Sequence, residues 1–240
     1  IPGAVFADLA RDLCGPISGT NGRHPLPDPA IAGETFGRLG ISLGTQVVVY
    51  DQDSGMYASR LWWMLRWLGH DAVAVLNGGF AKWLIERRPT TSGVETRLRQ
   101  VFVPRPRPGM LATAADVSAF AQQKNWKLMD ARAPERFRGD IEPIDKVAGH
   151  IPGAVNHFFQ SNLERGTFLA GEELIRRYRH SLGETAADHV VCYCGSGVTA
   201  CHNLLAMEHA GLHGAKLYAG SWSEWSSEPK RPVERAGRDD

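Results

Sequence analysis

The chain has 240 residues, 43% of them hydrophobic and 22% charged, with a formal net charge of +1. Such values describe an ordinary globular chain of one or two domains. The basic residues are scattered, apart from Arg87-Arg88 and the Arg105/Arg107 pair, so the basic face of a nucleic-acid-binding protein is missing; no apolar run reaches the roughly 18 residues of a membrane span, and the opening residues do not read as a signal peptide.

In chain order, residues 45–50 read as a strand and 57–68 as a helix that ends at Gly69. Residues 72–76 form a second strand, and Gly78-Gly79 turns into a helix over 80–86. From Arg88 to Gly109 the chain is dense in Pro, Gly, Ser and Thr and lacks helical periodicity, the pattern of an extended linker whose arginines are solvated. Beyond it, residues 114–122 are amphipathic and Lys127–Asp130 reads as a short strand. Residues 154–158 look extended, 172–181 helical and 189–193 a strand. A helix then runs to Ala210, followed by a strand over 215–218 and a last short helix near Glu224. Strands alternating with helices imply a parallel sheet covered on both faces.

The chain repeats itself. Ile1-Pro2-Gly3-Ala4-Val5 returns as Ile151-Pro152-Gly153-Ala154-Val155. Val47-Val48-Val49-Tyr50-Asp51 returns as Val190-Val191-Cys192-Tyr193-Cys194, and Ser54-Gly55 as Ser196-Gly197. Asn77-Gly78-Gly79-Phe80 returns as Ala219-Gly220-Ser221-Trp222. Blocks recurring in one order at near-constant offset mark a duplicated domain. The second copy carries about forty residues ahead of its Ile-Pro-Gly-Ala that the first does not, so the first copy is expected to lack a strand and a helix. The expected division is an incomplete first domain over 1–87, a linker over 88–110 and a second domain over 111–240.

Four cysteines are present: Cys14, Cys192, Cys194 and Cys201. Neighbours on one strand do not bridge easily, so a disulfide framework is not expected, and a reduced, cytoplasmic setting fits better. Cys192, Cys194, Cys201 and His202 match no usual zinc spacing, and no metal or other cofactor is expected. Cys194 differs from the others because Gly195, Ser196, Gly197, Val198 and Thr199 follow it. It stands where a strand ends and a helix begins. Glycines there let the backbone curl, and several N–H groups and the helix dipole converge on one atom, which favours a thiolate nucleophile.

The Cys194–Thr199 loop, Gly149-His150-Ile151-Pro152-Gly153-Ala154 and Gly220-Ser221-Trp222-Ser223-Glu224-Trp225 together resemble the rhodanese superfamily. The likeness covers nearly the whole chain and is strongest to its tandem-domain 3-mercaptopyruvate sulfurtransferases. The resemblance implies two rhodanese-like α/β domains, the first without its cysteine, as Asp51 fits. It also implies covalent sulfur transfer: Cys194 takes sulfur from a small donor as a persulfide and passes it to a thiol, a thioredoxin among the candidates, or to cyanide. Basic side chains follow the cysteine in thiosulfate-type members, whereas Gly195 and Ser196 are neutral. That favours 3-mercaptopyruvate over the alternative donor, thiosulfate. Gly195, Gly197, Val198 and Thr199 then line the donor site.

The family resemblance further assigns Ser196 a catalytic role with a His and an Asp from the first domain, for which His24 and Asp12 are the best matches. Of the two arginines that bind the donor in the family, Arg136 matches the first. Asp145 stands at the second position, and the adjacent Lys146 is expected to supply the charge. Arg132 reads as a partner of Asp130. Ala200 stands where a phosphatase of similar architecture has its phosphate-binding Arg, which argues against phosphate chemistry. A non-catalytic binding module is the remaining class, and the intact Cys194 loop argues against it.

Overall fold

Hydrophobic periodicity and caps determine the elements of the computed structural model, which describes residues 1–52 and 54–235. The first copy opens with α1 (Leu9–Asp12) and α2 (Pro29–Arg38). The Asp28 side chain caps α2 and Pro29 starts it, a pairing that fits the free N–H groups and fixed φ of a helix start. Then come β1 (Val47–Val49), α3 (Ala58–Trp67), β2 (Val73–Val75) and α4 (Gly79–Ile85). β1 and β2 pair in parallel with Val47 opposite Val73.

The segment expected as a solvated linker is partly docked. Gln100, Arg105 and Arg107 donate backbone N–H groups to the carbonyls of Gly37, Leu68 and Trp67, each at 2.8 Å. Phe102 is buried edge-on against Phe36, ring centroids 5.3 Å apart. Arg107 forks onto Asp71 at 2.7 and 2.6 Å.

The second copy contains α5 (Ala114–Phe120), β3 (Lys127–Asp130), α6 (Pro134–Arg138) and β4 (Val155–Asn156). A small antiparallel hairpin, β5 (Leu163–Glu164) and β6 (Thr167–Phe168), follows. Then come α7 (Gly171–Leu182), β7 (Val190–Tyr193), α8 (Thr199–His209), β8 (Lys216–Leu217) and α9 (Ser221–Trp225). The sheet order is β4-β3-β7-β8, parallel throughout. Every residue of β7 is buried. Val190 and Cys192 point into the core with α8, while Val191 and Tyr193 join Tyr218, Trp222 and Trp225 on the other face. A strand buried on both faces reads as a continuous apolar run, as this one does.

The copies are joined by α3 packed on α8. One core runs from Trp62, Trp63, Met64 and Leu65 to Leu204 and Met207. Each such large side chain contributes about 1.5–3 kcal/mol by burial. The end of β7 is thereby fixed beside the first copy.

Candidate active site

Cys194 follows the last residue of β7 and is 2% exposed. Its Sγ accepts the Gly197 N–H at 3.1 Å. Its own N–H donates to Ser221 Oγ at 3.1 Å, and its carbonyl accepts the Trp222 N–H at 2.9 Å. The Gly195 carbonyl accepts from Ser223 N–H at 3.0 Å, so the start of α9 staples the loop down. Gly197 has φ +77°, and a Cβ on it would stand 2.3 Å from the Ala219 carbonyl oxygen. Only glycine lets the loop pass there and turn its N–H onto the sulfur. α8 begins at Thr199, so its positive end faces the same region. Val198 is buried and Thr199 half-buried beside it.

The first copy shows what this loop geometry holds. Asp51, the counterpart of Cys194, accepts N–H groups of Gly55 at 2.9 Å, Tyr57 at 2.8 Å and Ala58 at 3.1 Å. The duplicated loop is a seat for an anion, filled by a carboxylate in one copy and carrying a thiol in the other. Cys192 and Cys201 are core thiols; burial pushes Cys201 up to about 12 and Cys192 still higher.

His24 and Ser196 come together from the two copies, Nδ1 to Oγ at 2.7 Å. Burial, and then the charges of Arg60 and Arg23, push the His24 imidazole below its ordinary value, so it is neutral near pH 7. Asp12 does not join them. Among the described residues its carboxylate is bound by Arg11, Arg38 and the Asp8 N–H. Burial raises the Asp12 carboxyl, but these partners outweigh it and hold the group below its ordinary value. Asp12 braces α1 against α2; the expected relay to His24 is not formed.

Arg136 holds Glu142, with Nη2 at 2.7 Å and Nε at 3.3 Å, and reaches Asp145 at 3.4 Å. Lys146 is exposed, and among the described residues no hydrogen bond or ion pair ties it to the loop. The nearer cation on Asp145 is Arg23, from the first copy; Arg136 is the other. Arg132 forks onto Asp130, as expected, with its closest contact at 2.6 Å, and also meets Glu142 at 3.2 Å.

Arg60 was not legible as a site residue, since it sits inside an apolar helix. It is fully buried, and its guanidinium donates to the carbonyls of Gly197 at 3.1 Å, His24 at 3.1 Å and Leu13 at 3.3 Å. Its counterpart in the repeat, His202, reaches the Ser54 carbonyl at 3.0 Å. Each copy thus sends one residue of its long helix to the other copy's loop. In one direction, Arg60 ties the Cys194 loop to the segment carrying His24. The repeat alignment was the signal that could have found it.

Comparison with known proteins fits this architecture. The family model of the rhodanese-like domain matches residues 1–86 and 113–228. The chain therefore belongs to the rhodanese-like family, in its tandem two-domain form. It is 48% identical over 236 residues to a Pseudomonas aeruginosa protein named "Probable 3-mercaptopyruvate sulfurtransferase", covering 97% of this chain and 83% of that one. It is 38% identical over 232 residues to a thiosulfate sulfurtransferase of Rattus norvegicus, covering 94% and 76%. The crystal structure of SseA from Escherichia coli, described as a 3-mercaptopyruvate sulfotransferase, superposes with a TM-score of 0.79 at 30% identity, covering 92% of this chain and 82% of that one. Among the described residues no helix is long and apolar enough to cross a membrane.

Proposed function

We propose that the chain is a sulfurtransferase that moves sulfane sulfur from 3-mercaptopyruvate to a thiol or cyanide through a persulfide on Cys194. The observation that carries this reading is the seat of the Cys194 sulfur: Gly197 N–H at 3.1 Å, with the Ser196–His24 pair at 2.7 Å beside it. The Cys194 thiolate attacks the donor sulfur. An S–S bond forms, the donor C–S bond breaks, and its electron pair passes to the enolate carbon, which takes up a proton to give pyruvate. The neutral Ser196–His24 pair polarises the keto group, and Arg136 holds the carboxylate. The outer sulfur then lies towards the start of α8. There the N–H groups of Thr199 and Ala200 match those that hold Asp51 in the first copy. An acceptor thiolate or cyanide attacks that sulfur and releases Cys194.

Thiosulfate is the second reading, favoured by the resemblance to a thiosulfate sulfurtransferase. We read residues 1–87 as the supporting domain, 88–110 as the connection and 111–240 as the catalytic domain. Four free cysteines suit a reduced cytoplasm, with thioredoxin as a fitting thiol acceptor. Steady-state kcat/KM for the two donors, compared side by side, tests the donor. A larger value for 3-mercaptopyruvate is expected; a large excess for thiosulfate would reverse the assignment.

A further inference from the structure

We propose that Arg23, carried by the first copy, is the second donor-binding cation of the active site, held in place by Asp145; this rests on the 3-mercaptopyruvate reading above. Asp145 occupies the position where a second donor-binding arginine was expected, and the charge has changed sides. Arg23 Nη1 pairs with Asp145 Oδ1. Its Nη2 lies 2.8 Å from where a Cβ on Gly195 would stand, and both terminal nitrogens of Arg136 lie 3.6 Å from the same point. Two guanidinium groups thus converge on the residue next to Cys194, one from each copy. A guanidinium lying there needs residue 195 to lack a side chain. The space that a basic side chain at 195 would fill is occupied by Arg23 instead.

Arg23 is held for this task at several points. Its backbone N–H donates to Ser223 Oγ at 3.1 Å, and the next residue, His24, contacts Ser196. Asp145 is 7% exposed and anchors one arm of the fork; its own N–H is fixed on Glu142 at 3.1 Å. Among the described residues, Arg23 Nη2 and Arg136 Nη1 donate to no protein acceptor. Two free donor arms in a partly dry site suit a planar α-keto carboxylate, with the carboxylate on one arginine and the keto oxygen on the other. Asp145 and Glu142 offset the two arginines, so the cradle is close to neutral before the donor arrives. Such a cradle accepts a monoanion more readily than a dianion. Lys146, a flexible point charge, has no part in it.

The test uses the full chain with three variants: Arg23→Met, Asp145→Asn, and the exchanged pair Arg23→Asp with Asp145→Arg. Folding is checked by thermal unfolding. Cys194 loading is measured with 3-mercaptopyruvate and with inorganic polysulfide, which brings sulfane sulfur without a carboxylate. Pyruvate serves as a competitive inhibitor. For Arg23→Met the ratio of kcat/KM for 3-mercaptopyruvate over polysulfide should fall at least tenfold, with the pyruvate inhibition constant rising by a similar factor. Asp145→Asn should show a smaller loss in the same direction. The exchanged pair should regain at least part of the ratio. An unchanged ratio and unchanged pyruvate inhibition in Arg23→Met, with the parent protein active on 3-mercaptopyruvate, would overturn the role of Arg23 alone. A parent protein that loads from polysulfide but not from 3-mercaptopyruvate would overturn the donor reading, and the Arg23 assignment with it.

Discussion

Replacing Arg60 separates the scaffold from the chemistry. The side chain is fully buried and faces three carbonyls rather than a carboxylate. Each charge-assisted hydrogen bond of that kind is worth about 1.5–3 kcal/mol, while burying the guanidinium costs several kcal/mol. The net loss on removal is about 2–4 kcal/mol, which a domain of ordinary stability survives at 25 °C. Arg60→Met fills much of the volume without the charge, and Arg60→Ala leaves a cavity. Urea unfolding should therefore show a smaller loss for Met than for Ala. Activity should not follow that order. Both variants free the Gly197 carbonyl and the His24 segment, and kcat/KM should fall about 100-fold in each, the scale of a loop displaced by about 1 Å. Arg60 also depresses the His24 imidazole. Without it, His24 protonates at higher pH, so the acidic limb of the kcat/KM profile should move upward in Arg60→Met. Stability losses without an activity loss, or an unmoved acidic limb, would refute this account of Arg60.

Gly197→Ala should lower kcat/KM by more than about 100-fold, as judged by donor turnover, because the added Cβ would meet the Ala219 oxygen at 2.3 Å and the loss of the N–H seat is of that order. Asp12→Asn should lower the melting temperature with kcat within about threefold of the parent, whereas His24→Gln should cost about 10–100-fold in kcat/KM; equal losses in both would restore the Asp12 relay. Burial pushes His202 down to about 4 from 6.5. The folded state therefore binds the proton less well than the unfolded chain. The His202 contribution to stability should be full above about pH 6.5 and lost towards pH 4, about 3 kcal/mol in total. His202→Gln should flatten urea-midpoint curves across that window.

The repeat and the loop were legible because strand, turn and helix residues recur in register, and Cys194 could be singled out by the glycines after it. Boundaries of β7 and α8 fell close to expectation for the same reason. α2 was missed although Asp28 and Pro29 carry its start signal; its short apolar stripe sits among prolines. The hairpin β5–β6 was missed because two-residue strands have no period to detect. That Asp12 lies apart from His24 was not legible, because sequence spacing says nothing about which cation a buried carboxylate will meet, and in the fold it meets Arg11 and Arg38. Arg23 and Arg60 act across the contact between copies. Long-range pairings such as Arg23 with Asp145 leave no local pattern.

The most direct test of the central claim is the mass of the peptide containing Cys194 after the folded protein meets 3-mercaptopyruvate without an acceptor. The expected result is a gain of one sulfur on Cys194, reversed by cyanide with release of thiocyanate, and absent from Cys194→Ser. An unmodified Cys194 in protein that still turns over the donor would contradict the account.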